Sequence, residues 1–117
     1  MITLSLPFPP SANRLWRAVR GRQIKSAEYR AWLLEAQAAI TAACIGGSMP
    51  GQYHMQIFAT RPDLRARDID NLIKPLGDAI AAAGLVLNDS KAASVYAAWT
   101  PSKPLKGGAI TVHLRPA

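Results

Sequence analysis

Cysteine is nearly absent from these 117 residues, with Cys44 standing alone. One thiol can close no internal disulfide, which excludes a disulfide-stapled secreted scaffold and suits a reducing cytoplasmic setting. Histidine is scarce too. His54 and His113 lie far apart on separate predicted strands, with no cysteine pair to complete a set, so zinc is not expected. No run of eighteen apolar residues occurs, so no membrane-spanning helix and no membrane partner are expected. The opening MITLSLPFPP also lacks the basic start, apolar stretch and cleavage site of a signal peptide. Acidic residues are the last shortage: seven Asp and Glu face fourteen Lys and Arg, a formal charge of +7.

That surplus attracts polyanions, of which nucleic acid is the commonest inside a cell. Arginine outnumbers lysine nine to five, favouring groups that fork onto phosphate oxygens. Half the residues are hydrophobic and only 18% are charged, which excludes a disordered tail protein. The length fits a single domain over 1–117, able to bury about two-thirds of its unfolded surface.

Ile2, Leu4 and Leu6 alternate with polar residues as in a half-buried strand that ends at Pro7, Pro9 and Pro10. The stretch Pro9–Gly21 reads as a proline-led loop carrying Asn13, Arg14, Trp16, Arg17 and Arg20. Ser26 is a candidate N-cap with Glu28 in the first turn. Tyr29, Trp32, Leu33, Ala36, Ile40 and Ala43 follow at helical spacing to about Cys44. Gly46–Gly51 reads as a turn, and Tyr53–Thr60 as a strand with Tyr53, Met55, Ile57 and Ala59 on one face. A basic stretch with Arg61, Arg65 and Arg67 precedes a second helix over about Asn71–Ala83. Leu72, Ile73, Leu76 and Ile80 form its stripe and Gly84 its stop. Pro75 lacks a backbone donor, so that helix should start late or irregularly. Ala93–Trp99 and Ala109–Arg115 read as two strands of a hairpin. The order β-α-β-α-β-β predicts an α+β domain, two main helices packed on a small mixed β-sheet.

Four of the seven acids, Asp68, Asp70, Asp78 and Asp89, fall within twenty-two residues, just after three arginines. Acids kept for solubility would be dispersed; acids gathered beside arginines suit a site that holds a cation against a polyanion. In a helix Asp68 and Asp70 would diverge by about 200°. In extended backbone they face the same way, so they converge if the chain stays extended through Asp70. Lys74 and Asp78 then follow at four-residue steps on one polar helical face. Convergent aspartates make an all-oxygen site suited to Mg²⁺ or Mn²⁺, which can activate water and neutralise a leaving oxygen in phosphodiester hydrolysis. An ammonium such as Lys74 could stabilise the pentacovalent phosphate or help activate the water.

Taken singly, each element has a plain use. Asp68 or Asp70 could cap the second helix, Asp89 could be a turn residue, and acids beside arginines could be surface ion pairs. Asp63 after Pro62 reads as a turn residue, His54 and His113 as outer-face strand residues, and Trp32 and Trp99 as packing rather than base-stacking residues, with Trp16 in its basic loop open to either use. Asp78 is assigned a place in solvent or behind the metal ligands.

The combined pattern is more specific than its pieces. Asp68-Ile69-Asp70-Asn71-Leu72-Ile73-Lys74, then Asp78-Ala79-Ile80, then Leu87-Asn88-Asp89-Ser90-Lys91, resembles the RusA family of Holliday junction resolvases. The opening Leu6-Pro7-Phe8-Pro9-Pro10-Ser11-Ala12-Asn13-Arg14 is similar to that family's proline-rich start, and the likeness covers nearly the whole chain. It implies a homodimeric, Mg²⁺-dependent endonuclease that binds branched, four-way DNA and nicks two strands symmetrically in recombination and repair. On that resemblance Asp68, Asp70 and Asp89 match the metal-binding acids and Lys74 the essential lysine. DNA contacts are expected from Arg14, Arg17, Arg20, Arg61, Arg65 and Arg67, with Asn71, Asp78 and Asn88 as supporting residues. The sequence departs at Asn88, where the family usually has a second acid; asparagine offers a carbonyl oxygen but no charge. Such genes are often carried by phages and prophages. The rival expectations are a non-catalytic basic DNA-binding module and a less selective flap or fork nuclease.

Overall fold

A computed structural model describes residues 1–43 and 47–117, so Cys44 and Gly46, on which the predicted helix end and turn partly fell, lie outside the described residues. The alternation at the start forms β1 (Ile2–Leu6), which buries Leu4 and Leu6. A 3-10 turn over Ala12–Arg14 leads into β2 (Trp16–Val19) and β3 (Arg22–Lys25). The helix α1 (Ala27–Ala43) begins where the Ser26 hydroxyl accepts the Tyr29 N–H at 3.0 Å, the predicted cap. It buries Tyr29, Trp32, Leu33, Ala36 and Ile40. Ala43, expected on that stripe, is exposed; a single methyl gives little drive to bury the last turn. Next come β4 (Tyr53–Thr60), α2 (Ile73–Ala82), β5 (Ala92–Trp99) and β6 (Ala109–Pro116). Gly84 stops α2 in a left-handed conformation (φ +77°) that costs glycine nothing.

The main sheet runs β1-β6-β4-β5, with β4 and β5 parallel and the other pairs antiparallel. Both helices join a single core with Leu4, Met55, Ile57, Ile110, Val112 and Leu114. This is the expected α+β layering: helices on a small mixed sheet.

Two expectations are corrected. β5 and β6 form no hairpin: β4 lies between them. The inward residues of β4, like those of β6, are almost completely buried, as befits the two central strands with a neighbour on each side. The parallel pairing of β4 with β5 requires a crossover, which α2 supplies. The 100–108 connection crosses the end of β4 instead of turning back on β5. There Thr100 N–H donates to the Ala59 carbonyl at 2.8 Å and Leu105 N–H to that of Arg61 at 2.9 Å.

The segment read as a loop over Pro9–Gly21 holds the β2–β3 ribbon, so the order is β-β-β-α-β-α-β-β. Its turn residues, Arg20 (φ +52°) and Gly21 (φ +76°), are both left-handed. Two-residue turns of this hand usually carry Asn or Asp first, and arginine sends no such signal. The ribbon also lacks a buried face, so no apolar alternation marks it.

Candidate active site

Beyond β4 the chain bends at Asp63, whose carboxylate accepts the Arg65 N–H at 3.0 Å and pairs with the Arg67 guanidinium at 2.9 Å. The Arg67 hydrogen bond holds that carboxyl below the usual carboxylate range. Asp63 is thus the turn residue expected, and it is also the acid that takes the arginines. Asp68 stays extended (φ −83°, ψ +124°), and a 3-10 turn follows over Ile69–Leu72. The Asp68 side chain makes no capping bond; its carbonyl accepts the Asn71 N–H at 3.2 Å.

The predicted extension through Asp70 therefore stops two residues early, at Asp68, because half-buried Ile69 and buried Leu72 draw the chain into the turn. At three residues per turn, positions two apart diverge by about 240°. The two carboxylates face different spaces. Asp68, with Asn71, lines a cavity of about 480 Å³ shared with Phe8, Asn13, Arg65, Arg67 and Trp99. Asp70 lines one of about 300 Å³ with Tyr53, Lys74, Gly77 and Asp89. The irregular start that Pro75 required is present: α2 begins only at Ile73, and proline falls in its first turn, where a missing donor costs nothing.

Lys74 is the hub. Its ammonium lies 2.9 Å from Asp78 Oδ1, one helical turn on, and 3.0 Å from Asp89 Oδ2. Asp89 opens a short 3-10 turn that Asn88 caps, its side-chain oxygen accepting the Ser90 N–H at 2.9 Å. The Tyr53 hydroxyl donates to the Asp89 carbonyl at 3.3 Å, so turn and strand are tied together. Beneath it sits Gly77, where an added Cβ would touch Asp89 Cβ at 3.4 Å. The capping role belongs to Asn88, which leaves the Asp89 carboxylate free to face the cavity.

Asp78, expected in solvent or behind the ligands, is largely buried and joins two groups: it holds Lys74 and accepts a hydrogen bond from the Tyr29 hydroxyl. Burial, then the Asp78 hydrogen bond, push the Tyr29 phenol far above its usual value, so it stays a neutral donor. Hydrogen bonds to Asp78, then Asp89, raise Lys74 above its ordinary 10.5. Its ion pairing is thus fully present below that value and fades only as pH rises through the raised one. Tyr29→Phe should lower stability by about 1.5–3 kcal/mol, the range for a hydrogen bond to a charged group. Urea unfolding checks this; an unchanged midpoint would mean that Lys74 alone holds Asp78.

Of the expected DNA-contacting arginines, only Arg65 and Arg67 line these cavities. Arg65 is exposed at the larger one, whereas Arg67 is partly committed to Asp63 and lies over the Phe8 ring. Arg61 lies 4.3 Å from the centroid of Trp99, which stacks on Phe8 at 6.3 Å. Gly108 (φ +69°) lets Phe8 approach, since a Cβ there would fall 2.7 Å from the ring. Arg14 sits 3.9 Å from Glu28, and Arg17 and Arg20 belong to the ribbon. His54 bonds Ser94 and His113 bonds Thr3, on the sheet face away from the core, as expected. Sequence reasoning missed Tyr29, Phe8 and Trp99 at the site: Tyr29 and Trp99 read as packing residues, and Phe8 stood only as part of the proline-rich opening.

The family model described as Endodeoxyribonuclease RusA matches residues 7–115. The chain belongs to the RusA family. Crossover junction endodeoxyribonuclease RusA of Escherichia coli (strain K12) is 37% identical over 89 residues, 76% of this chain and 74% of that protein. The protein of that name from Shigella sonnei is equally similar, and that of Enterobacteria phage 82 is 36% identical over 88 residues, 75% and 73% of the two chains. The phage relative agrees with the expected phage association.

In this RusA-family chain the donor chemistry fits a hard divalent cation: Asp70 and Asp89 offer carboxylate oxygens to one cavity, with Asp68 at the next. Among the described residues no three His, Cys, Asp or Glu side chains are gathered closely enough to hold a metal ion by themselves. A cation here would therefore draw further ligands from water or from the phosphate it binds.

Proposed function

We propose that this chain is a Mg²⁺-dependent endonuclease that resolves four-way DNA junctions by paired, symmetric phosphodiester cleavage. The observation that carries this is Asp70, Lys74 and Asp89 around one cavity, with Arg65 and Asp68 at the next. Asp70 and Asp89 would hold Mg²⁺, or Mn²⁺ in its place, and Asp68, at the next cavity, would reach that ion through a shared water or phosphate. The ion would supply a Lewis acid and a water of lowered pKa. Arg65 offers a fork to a phosphate at the rim. Lys74 places a fixed positive charge where a phosphorane would develop negative charge. With Asp89 engaged by a cation, Asp78 would keep the ammonium beside the cavity, since the Tyr29 hydroxyl donates to that carboxylate.

One chain carries one such set of acids, so two symmetric nicks call for two copies, a homodimer related by a two-fold axis. The test compares a four-way junction, a fork, a flap and linear duplex, each with Mg²⁺, Mn²⁺ or chelator. Paired metal-dependent nicks in the junction are expected. Equal cutting of fork and duplex would replace it with a less selective nuclease. Chelator-resistant binding with no nicking under any condition would leave a basic DNA-binding module.

A further inference from the structure

The β2–β3 ribbon is unlike the rest of the fold. It pairs with no strand of the main sheet, and seven of its eight strand residues are exposed. Two-stranded hairpins are marginal by themselves. Its ties to the body lie at its root: Leu15 is buried, Ser26 N–H donates to the Leu15 carbonyl at 2.9 Å and Trp16 meets Tyr29 edge-on. No acid occurs before Glu28, while Arg14, Arg17, Arg20, Arg22 and Lys25 all fall in this stretch. Among the described residues, none of Arg17, Arg20, Arg22 and Lys25 pairs with a carboxylate. The register puts Arg17 and Arg22 on one ribbon face with Val19 and Ile24. The tip is Arg20, held at φ +52°.

That tip is informative. A left-handed non-glycine residue is disfavoured, and Asn would serve this turn better than Arg. Strain kept where a better residue exists points to a use for the side chain. The use that fits a cationic, exposed, two-stranded ribbon is contact with duplex DNA, whose major groove admits an element of that width.

We infer that the β2–β3 ribbon is a DNA arm: it grips the phosphate backbone of one duplex arm through Arg17, Arg20 and Arg22, apart from the cavities where the strand is cut. This rests on the junction-cutting reading for its ligand. The root of the ribbon stands close to that chemistry, since Trp16 packs on Tyr29, which bonds Asp78, which holds Lys74.

The test measures junction affinity in chelator, by fluorescence anisotropy across a salt series, alongside thermal unfolding. Arg20→Asn should leave the unfolding temperature unchanged or raised while weakening binding by roughly tenfold. Arg17→Gln with Arg22→Gln should weaken it by roughly 10- to 100-fold and lower the salt slope by about 2, one phosphate contact for each arginine. Lys103→Gln with Lys106→Gln, which removes the same charge from the 100–108 connection, should cost less. Wild-type affinity and slope in the ribbon variants, or an equal loss in the lysine pair, would overturn the proposal. Wild-type nicking is followed in the same series. Nicking by the wild type together with unaffected ribbon variants sinks the arm and spares the nuclease. A wild type that never nicks, with weakened ribbon variants, keeps the arm and sinks the nuclease.

Discussion

Asp70→Asn is expected to lower junction nicking by at least about a thousandfold, while junction binding survives or tightens. Asp70 lies in the 3-10 turn before α2, exposed, and the turn uses its carbonyl, not its carboxylate: Ile73 N–H donates to the Asp70 backbone oxygen. Asparagine has the same shape, so the turn and the helix start should be untouched. What is lost is a full negative charge facing the cavity of Lys74 and Asp89. If a divalent cation is held there, weakening it removes both the activated water and several kcal/mol of charge stabilisation in the transition state, about 1.4 kcal/mol per tenfold. Binding moves the other way, because the charge removed would otherwise repel phosphate. The measurement is single-turnover nicking of a four-way junction beside anisotropy binding in chelator. Nicking within tenfold of wild type would take Asp70 out of the metal site, and lost binding by a folded variant would assign it to DNA contact instead.

How far these roles could be read from the chain depended on which force placed each residue. Burial is written plainly in sequence. Leu4 and Leu6, the inward residues of β4 and the stripe of α1 as far as Ile40 fell where their periods put them, since a strand or helix packed on one side must repeat its apolar residues. Pro75 announced the irregular start of α2 for a reason equally local, its missing donor. Pairing partners were less legible. Two apolar strands joined by a proline- and glycine-bearing loop look like a hairpin. Only the central place of β4, a property of the whole sheet, separates β5 from β6. The ribbon was hidden because no core recruits it. The acids were found by type and crowding, but their grouping was not. Ile69 and Leu72 pull Asp70 into a turn that aims it at Asp89 and away from Asp68. Asp78 and Tyr29 meet across forty-nine positions, a contact no local pattern encodes.

Lys74 is where that hidden contact has its largest consequence. Lys74→Ala is expected to slow nicking by roughly 10²- to 10³-fold, the cost of losing one preorganised electrostatic stabiliser. Its ammonium bridges two carboxylates, Asp78 and Asp89, and offsets the charge of both. Without it, the same oxygens present more negative charge to the cavity. The Mg²⁺ concentration for half-maximal nicking should therefore fall even as the maximal rate drops. That opposite movement separates the lysine's part in the transition state from a merely structural one, since a loosened site would lose rate and metal affinity together. Lys74→Arg should restore the charge balance, and with it the wild-type Mg²⁺ requirement. It should restore the rate only in part, because a planar guanidinium cannot occupy the point where the ammonium sits between Asp78 and Asp89. The experiment is a Mg²⁺ titration of single-turnover nicking at fixed ionic strength for the three proteins, with thermal unfolding as the check on folding. A Lys74→Ala protein that nicks at the wild-type rate would remove the lysine from the chemistry. One that loses rate and metal affinity in parallel would reduce it to a brace for Asp78 and Asp89.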